Sequence, residues 1–197
     1  MTTAVAVEQV PFTYEDYLRL PDSPYREEIL GGELTVSPSP SRDHQELVGG
    51  LYRALQAEAG ARGLGKVYLG PYDVILSDTD VVSPDLVFVL REQAGIARQR
   101  GVFGPPDLIV EVLSKWSGVR DTQGKSALYA RYGVPHYWLF DPARRRAWFF
   151  RLAEGEYRLT GEHGGDEMVR VEPFPDLELH LGGLWPPETP ETSAPSR

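Results

Sequence analysis

The chain has 197 residues, 41% hydrophobic and 25% charged, proportions that suit one globular domain with a sizeable core. It contains no cysteine, which excludes disulfides, thiolate catalysis and Cys-held zinc or iron–sulfur centres, so any metal must rest on carboxylates, imidazoles or backbone oxygens and is expected to be a hard cation such as magnesium or manganese. No run approaches the ~20 apolar residues needed to cross a bilayer, and the opening MTTAVAVEQV has no basic n-region, so a cytoplasmic location and no membrane partner are expected.

In chain order, Thr13 is a candidate N-cap for a short amphipathic helix carrying Tyr14, Tyr17, Leu18 and Leu20, stopped before Pro21. REEILGGELTV reads as a hairpin turned at Gly31-Gly32. After SPSPS a helix is expected over about residues 42 to 61 with Ser41 as N-cap, because Val48, Leu51, Leu55 and Ala59 recur at helical spacing. Gly49-Gly50 inside it costs roughly 1 kcal/mol per glycine relative to alanine, which implies a close neighbour. Strands are expected at 67–69, 73–76 and 81–90, then a short polar helix. DLIVEVL, residues 107 to 113, is too short and too β-branched for a helix and reads as a buried strand. A helix over 121–132 closes at Gly133 with Pro135 beyond, and HYWLFD is the next strand. Further short strands fill 146 to 181. One domain over 1–185 and a disordered Pro-rich tail over 186–197 complete the reading.

Three residues do not fit a plain core. Glu111 sits among Ile109, Val110, Val112 and Leu113, where an unpaired carboxylate costs several kcal/mol, so it marks either a buried ion pair, a strand edge or a bound cation. Asp85 opens the run LVFVL directly after Pro84, at a strand start where a carboxylate can reach a cleft. Lys125 shares a helix face with Leu128, Tyr129 and Tyr132 and so points toward the sheet, unless its stem snorkels or it pairs with Asp121 on the surface. His44 lies on the stripe of Val48, Leu51 and Leu55. Glu28, beside Glu27 in the first hairpin, is a further acid whose facing alternation alone does not settle. Two acids side by side raise one another's pKa, so Asp85→Asn is expected to stabilise the ion-free fold.

The pieces EILGGEL, SRDHQEL, SPDLVFV, PDLIVEVLS, RDTQGK…LYARYGV and PHYWLFDP, in that order over about residues 13 to 142, resemble the Uma-two family, a branch of the PD-(D/E)xK nuclease superfamily. The resemblance implies an α/β, restriction-endonuclease-like fold, a mixed central sheet flanked by helices with additional antiparallel strands at both ends. It implies Asp85 as the aspartate of the PD motif, Glu111 as the second acid and Glu28 as a further active-site acid, while His44 matches a recurrent family position. The acid-x-Lys triplet would place lysine at 113, which is Leu113 here. The resemblance therefore implies that the lysine has migrated to Lys125.

The function expected is hydrolysis of phosphodiester bonds, in DNA, by one or two magnesium or manganese ions on Asp85, Glu111 and the Val112 carbonyl, within a homodimer. The net charge of −9 runs against a nucleic-acid partner, yet residues 91 to 151 carry eleven Lys/Arg against five Asp/Glu, a local +6 that leaves −15 elsewhere. A basic half on an acidic protein suits a phosphate-facing surface, although a solvated charged face has the same composition. The alternatives are a nucleic-acid-binding module of the same fold without cleavage, and a structural or oligomerisation protein in which Asp85, Glu111 and Lys125 form a buried ion network.

Overall fold

Local signals set most element boundaries in the computed structural model, which describes residues 10–114 and 119–187 and, of residues 119–123, the backbone alone. Lys115 and the chain from residue 188 on lie outside the described residues. Thr13 caps α1 (Tyr14–Tyr17) through a capping box with Asp16. The hairpin β1 (Arg26–Leu30) and β2 (Glu33–Ser37) turns at Gly31 and Gly32, whose φ of 60° and 80° is the left-handed pair that a two-residue hairpin turn requires. Helix α2 (Arg42–Arg62) starts at Ser41, whose hydroxyl accepts from the His44 amide, and ends at Gly63. The close neighbour implied by Gly49-Gly50 is Leu184, which a Cβ on Gly50 would meet at 3.0 Å.

Strands β3 (Gly65–Leu69), β4 (Val74–Ser77), β5 (Asp80–Val82) and β6 (Leu86–Leu90) follow. The single strand expected over 81–90 is thus two. Pro84 has no amide hydrogen to give a ladder, and the chain passes there from one sheet to another. The polar helix after Leu90 is a 3-10 segment, Arg91–Ile96, leading to two short strands absent from the sequence reading, β7 (Ala97–Arg98) and β8 (Gly101–Phe103). Then come β9 (Leu108–Val112), α3 (Val119–Arg131), β10 (His136–Asp141), β11 (Arg146–Ala153), β12 (Glu156–Gly164), β13 (Met168–Val171) and β14 (Phe174–His180).

The central sheet has the order β12-β11-β10-β9-β6-β3, and it is mixed: β9 and β10 are parallel, joined through α3, while every other pairing is antiparallel. The inner strands β6 and β9 are buried on both faces, so apart from Glu111 they read as continuous apolar runs. On one face Leu47, Leu51 and Leu55 of α2 pack with Phe88, Trp138 and Phe174. On the other, Val87 and Ile109 meet Leu128 and Tyr129 of α3 together with Val74 and Val82 of the second sheet, whose order is β2-β1-β5-β4-β8-β7.

Asp80 holds the second sheet to α3. It is 2% exposed, and its carboxylate accepts from the Gly31 amide at 2.8 Å, the Tyr132 hydroxyl at 2.7 Å and the Arg131 guanidinium at 2.8 Å. Removing it takes the acceptor from these three donors, of which the Tyr132 hydroxyl is half-buried and the others are exposed, so Asp80→Ala should lower unfolding free energy by about 2 kcal/mol in urea denaturation. Arg131→Ala, at the exposed partner, should cost under about 1 kcal/mol.

Candidate active site

The functional side chains gather where the start of β6, the end of β9 and the N-terminal turn of α2 meet. In the antiparallel β6–β9 pair, Leu86 stands opposite Val110 and Val87 opposite Ile109, so one step outward Asp85 faces Glu111. Alternation puts Glu111 on the Ile109 face, toward α3. Glu28 comes from the other sheet, on β1, and of the adjacent pair Glu27 and Glu28 it is Glu28 that turns inward, at 3% exposure. His44 arrives from the first turn of α2. All five residues singled out from the sequence converge here.

Lys125 is buried rather than snorkelling. Its Nζ donates to Glu28 Oε1 at 2.7 Å and to Glu111 Oε1 at 3.4 Å, bridging the two sheets. The Tyr129 hydroxyl, one turn along α3, donates to the same Glu111 oxygen at 2.6 Å, and the Ser83 amide donates to Glu28 Oε1 at 2.8 Å. Asp85 has a different environment. Its Oδ2 accepts from the Val112 amide at 2.8 Å and lies 3.1 Å from His44 Nε2, and its Oδ1 accepts from Arg26 Nη2 at 2.6 Å. His44 Nδ1 is buried with no hydrogen-bond partner among the described residues.

Arg26 and Tyr129 are the site residues that sequence reasoning missed. Arg26 was hidden in the charged string Arg26-Glu27-Glu28. The usable signal was period two, since an inward Glu28 places Arg26 on its own face. Tyr129 was read only as part of the apolar helix face, although its offset of four from Lys125 puts its hydroxyl beside that ammonium's partners.

The two central acids are tuned in opposite directions. Burial pushes the Glu111 carboxyl above its ordinary value; Lys125 opposes this, and the nearby Asp85 and Glu28 carboxylates add to it. Burial also acts on Asp85, but the hydrogen bond to His44 and the Arg26 charge outweigh it and hold that carboxyl below its ordinary value. Burial, with the Glu111 charge beside it, keeps the Tyr129 hydroxyl protonated and donating.

These residues wall a pocket of about 100 Å³ whose lining includes Arg26, Glu28, His44, Glu111, Val112 and Lys125. Leu113 lines it as well. The donor set suits a divalent ion: hard oxygens crowded beyond the positive charge available, with one acid held short of compensation. As paired here, however, no three His, Asp or Glu side chains among the described residues stand close enough to hold one. Arg26 and Lys125 occupy the gaps between them.

The Uma2 family, described as "Putative restriction endonuclease", matches residues 14–182 of this chain. A crystal structure described as that of "a putative nuclease belonging to DUF820", from Anabaena variabilis ATCC 29413, superposes with a TM-score of 0.74 at 18% identity, covering 89% of this chain and 98% of that one. At that identity the likeness is one of fold, and the fold is α/β, of the restriction-endonuclease-like nuclease type. No curated protein matches the chain.

The opposite tuning of the two acids reverses the stability expected for Asp85→Asn. A carboxyl held below its ordinary value adds stability above that value and loses it as pH falls, so Asp85→Asn should destabilise the ion-free protein at pH 7, by about 2 kcal/mol, with Arg26 losing its closest carboxylate. Glu111 has the other sign: its raised folded value makes ionisation a cost that is absent below its ordinary value of 4.5 and grows as pH rises through the folded value. Glu111→Gln should therefore stabilise the ion-free protein at pH 7, with the gain vanishing below the ordinary glutamate range in denaturant titrations.

Proposed function

Because the chain belongs to the Uma2 family, of restriction-endonuclease description, we propose that it is a metal-dependent nuclease that hydrolyses phosphodiester bonds in DNA. The observation that carries this reading is the convergence of the buried Glu28, Glu111 and Lys125 on one small pocket, with Asp85 directly behind Arg26. Asp85, Glu111 and the Val112 carbonyl are the groups assigned to magnesium or manganese. Such an ion supplies a Lewis acid that lowers the pKa of water and offsets charge on the scissile phosphate.

Charge bookkeeping supports the assignment. Ionised Asp85, Glu28 and Glu111 against Arg26 and Lys125 leave the site at −1; a divalent ion takes it to +1, and one phosphodiester closes it at zero. Lys125, already fixed between two carboxylates, faces the pocket with an ammonium that stabilises negative charge developing on the phosphate. Glu28 holds that ammonium in place. His44 orients Asp85 from the far side.

The surrounding surface fits a polyanion locally. β10 runs parallel to β9 with Leu139 beside Glu111, so the turn after Asp141 leaves the sheet at the end that carries the site, and Arg144 and Arg146 are exposed there. Cutting both strands of a duplex takes two such sites, and a homodimer is the assembly we assign.

Labelled duplex DNA incubated with magnesium or manganese tests the reading, with single-stranded DNA and RNA as comparators. Cleavage should appear with metal, stop with chelator and be abolished in Glu111→Gln, a variant expected to fold more stably than the parent. Lys125→Ala should slow it by roughly 10²–10³-fold, and adding Leu113→Lys should recover part of that loss. Neither cleavage nor binding of any of these nucleic acids in the presence of metal would leave the cluster as a structural ion network.

A further inference from the structure

The Asp85 carboxylate is screened from the pocket it would serve. Arg26 Nη2 sits 2.6 Å from Oδ1, and the pocket is lined by Arg26 and His44 in front of Asp85 rather than by Asp85 itself. The guanidinium is three-quarters buried, reaching across from β1 in the other sheet. A divalent ion binds a carboxylate oxygen at about 2.0–2.6 Å, so an ion on Oδ1 and this nitrogen claim the same space. Two cations at that separation in a buried site also repel strongly.

Resting on the metal-dependent reading above, we propose that Arg26 is the resident cation of Asp85 in the ion-free protein and that it swings into the pocket to clamp the substrate phosphate when a divalent ion takes its place. Asp85 keeps a positive partner at every stage, so the acid cluster does not repel itself while empty. In the pocket the planar fork of the guanidinium suits two phosphate oxygens at once, a contact that a lysine at this position would not reproduce. Displacing Arg26 carries a cost that a phosphodiester recovers, so ion and nucleic acid each strengthen the other's binding, as linkage requires. Arg26 already lines the pocket, together with its strand partner Ser37, so leaving Asp85 does not take it out of reach of a phosphate bound there.

Manganese titration calorimetry without nucleic acid tests this on the parent, Arg26→Gln and Arg26→Lys, alongside arginine side-chain NMR of the parent during magnesium titration. Arg26→Gln should bind manganese at least about tenfold more tightly than the parent, because it no longer competes for Oδ1, with Arg26→Lys between them. In the parent, the guanidinium signals of a locked Arg26 should shift and lose their protection as magnesium saturates. Equal manganese affinity in parent and Arg26→Gln, or guanidinium signals unmoved at saturation, would overturn the proposal while leaving the nuclease reading intact. Should Arg26→Gln not fold, the NMR titration alone decides. No ion binding in any of the three forms would overturn this proposal and the metal reading together.

Discussion

Lys125 places its ammonium 2.7 Å from Glu28 and 3.4 Å from Glu111, two acids carried by strands of different sheets. A buried charge without partners costs several kcal/mol, so Lys125 and Glu28, the closer pair, depend on one another. The bridge also fixes how the helix between the parallel strands lies against the second sheet. Glu28 accepts from the Ser83 amide at the point where the chain crosses from one sheet to the other, so the same acid fastens the crossover. The position of the pocket follows from this bridge and from the register that sets Asp85 opposite Glu111.

Within the cluster, charge is distributed unevenly. Asp85 is surrounded by donors and settles below its ordinary pKa, whereas Glu111 is buried with less compensation and settles above. A purely structural network gains nothing from leaving one acid short of positive charge. A site built for a dication does, since the deficit is what the ion fills.

Much of this was legible in the sequence because the site residues contradict their surroundings. Glu111 in an apolar strand, Lys125 on an apolar helix face and His44 on the α2 stripe were each visible as a polar group where packing expects none, and the structure buries all three. Caps and turns were equally local, as at Thr13, Ser41, Gly31-Gly32 and Gly133. What escaped is non-local. The split of residues 81–90 at Pro84 and the pairing of β5 and β6 in separate sheets depend on partners far along the chain. Arg26 escaped because its role is defined by Asp85, 59 residues away. The tuning of Asp85 was misjudged for the same reason: a neighbouring acid was visible, but the pairing of Asp85 with His44 and Arg26 was not.

The central claim is that this acid cluster is a metal site, and anomalous diffraction from crystals soaked in manganese tests it most directly. The account predicts an anomalous peak in contact with both Asp85 and Glu111, with the Arg26 guanidinium moved off Asp85 Oδ1. Crystals that diffract well, show no peak in the pocket and retain the Arg26–Asp85 and Lys125–Glu28 pairs unchanged would contradict it.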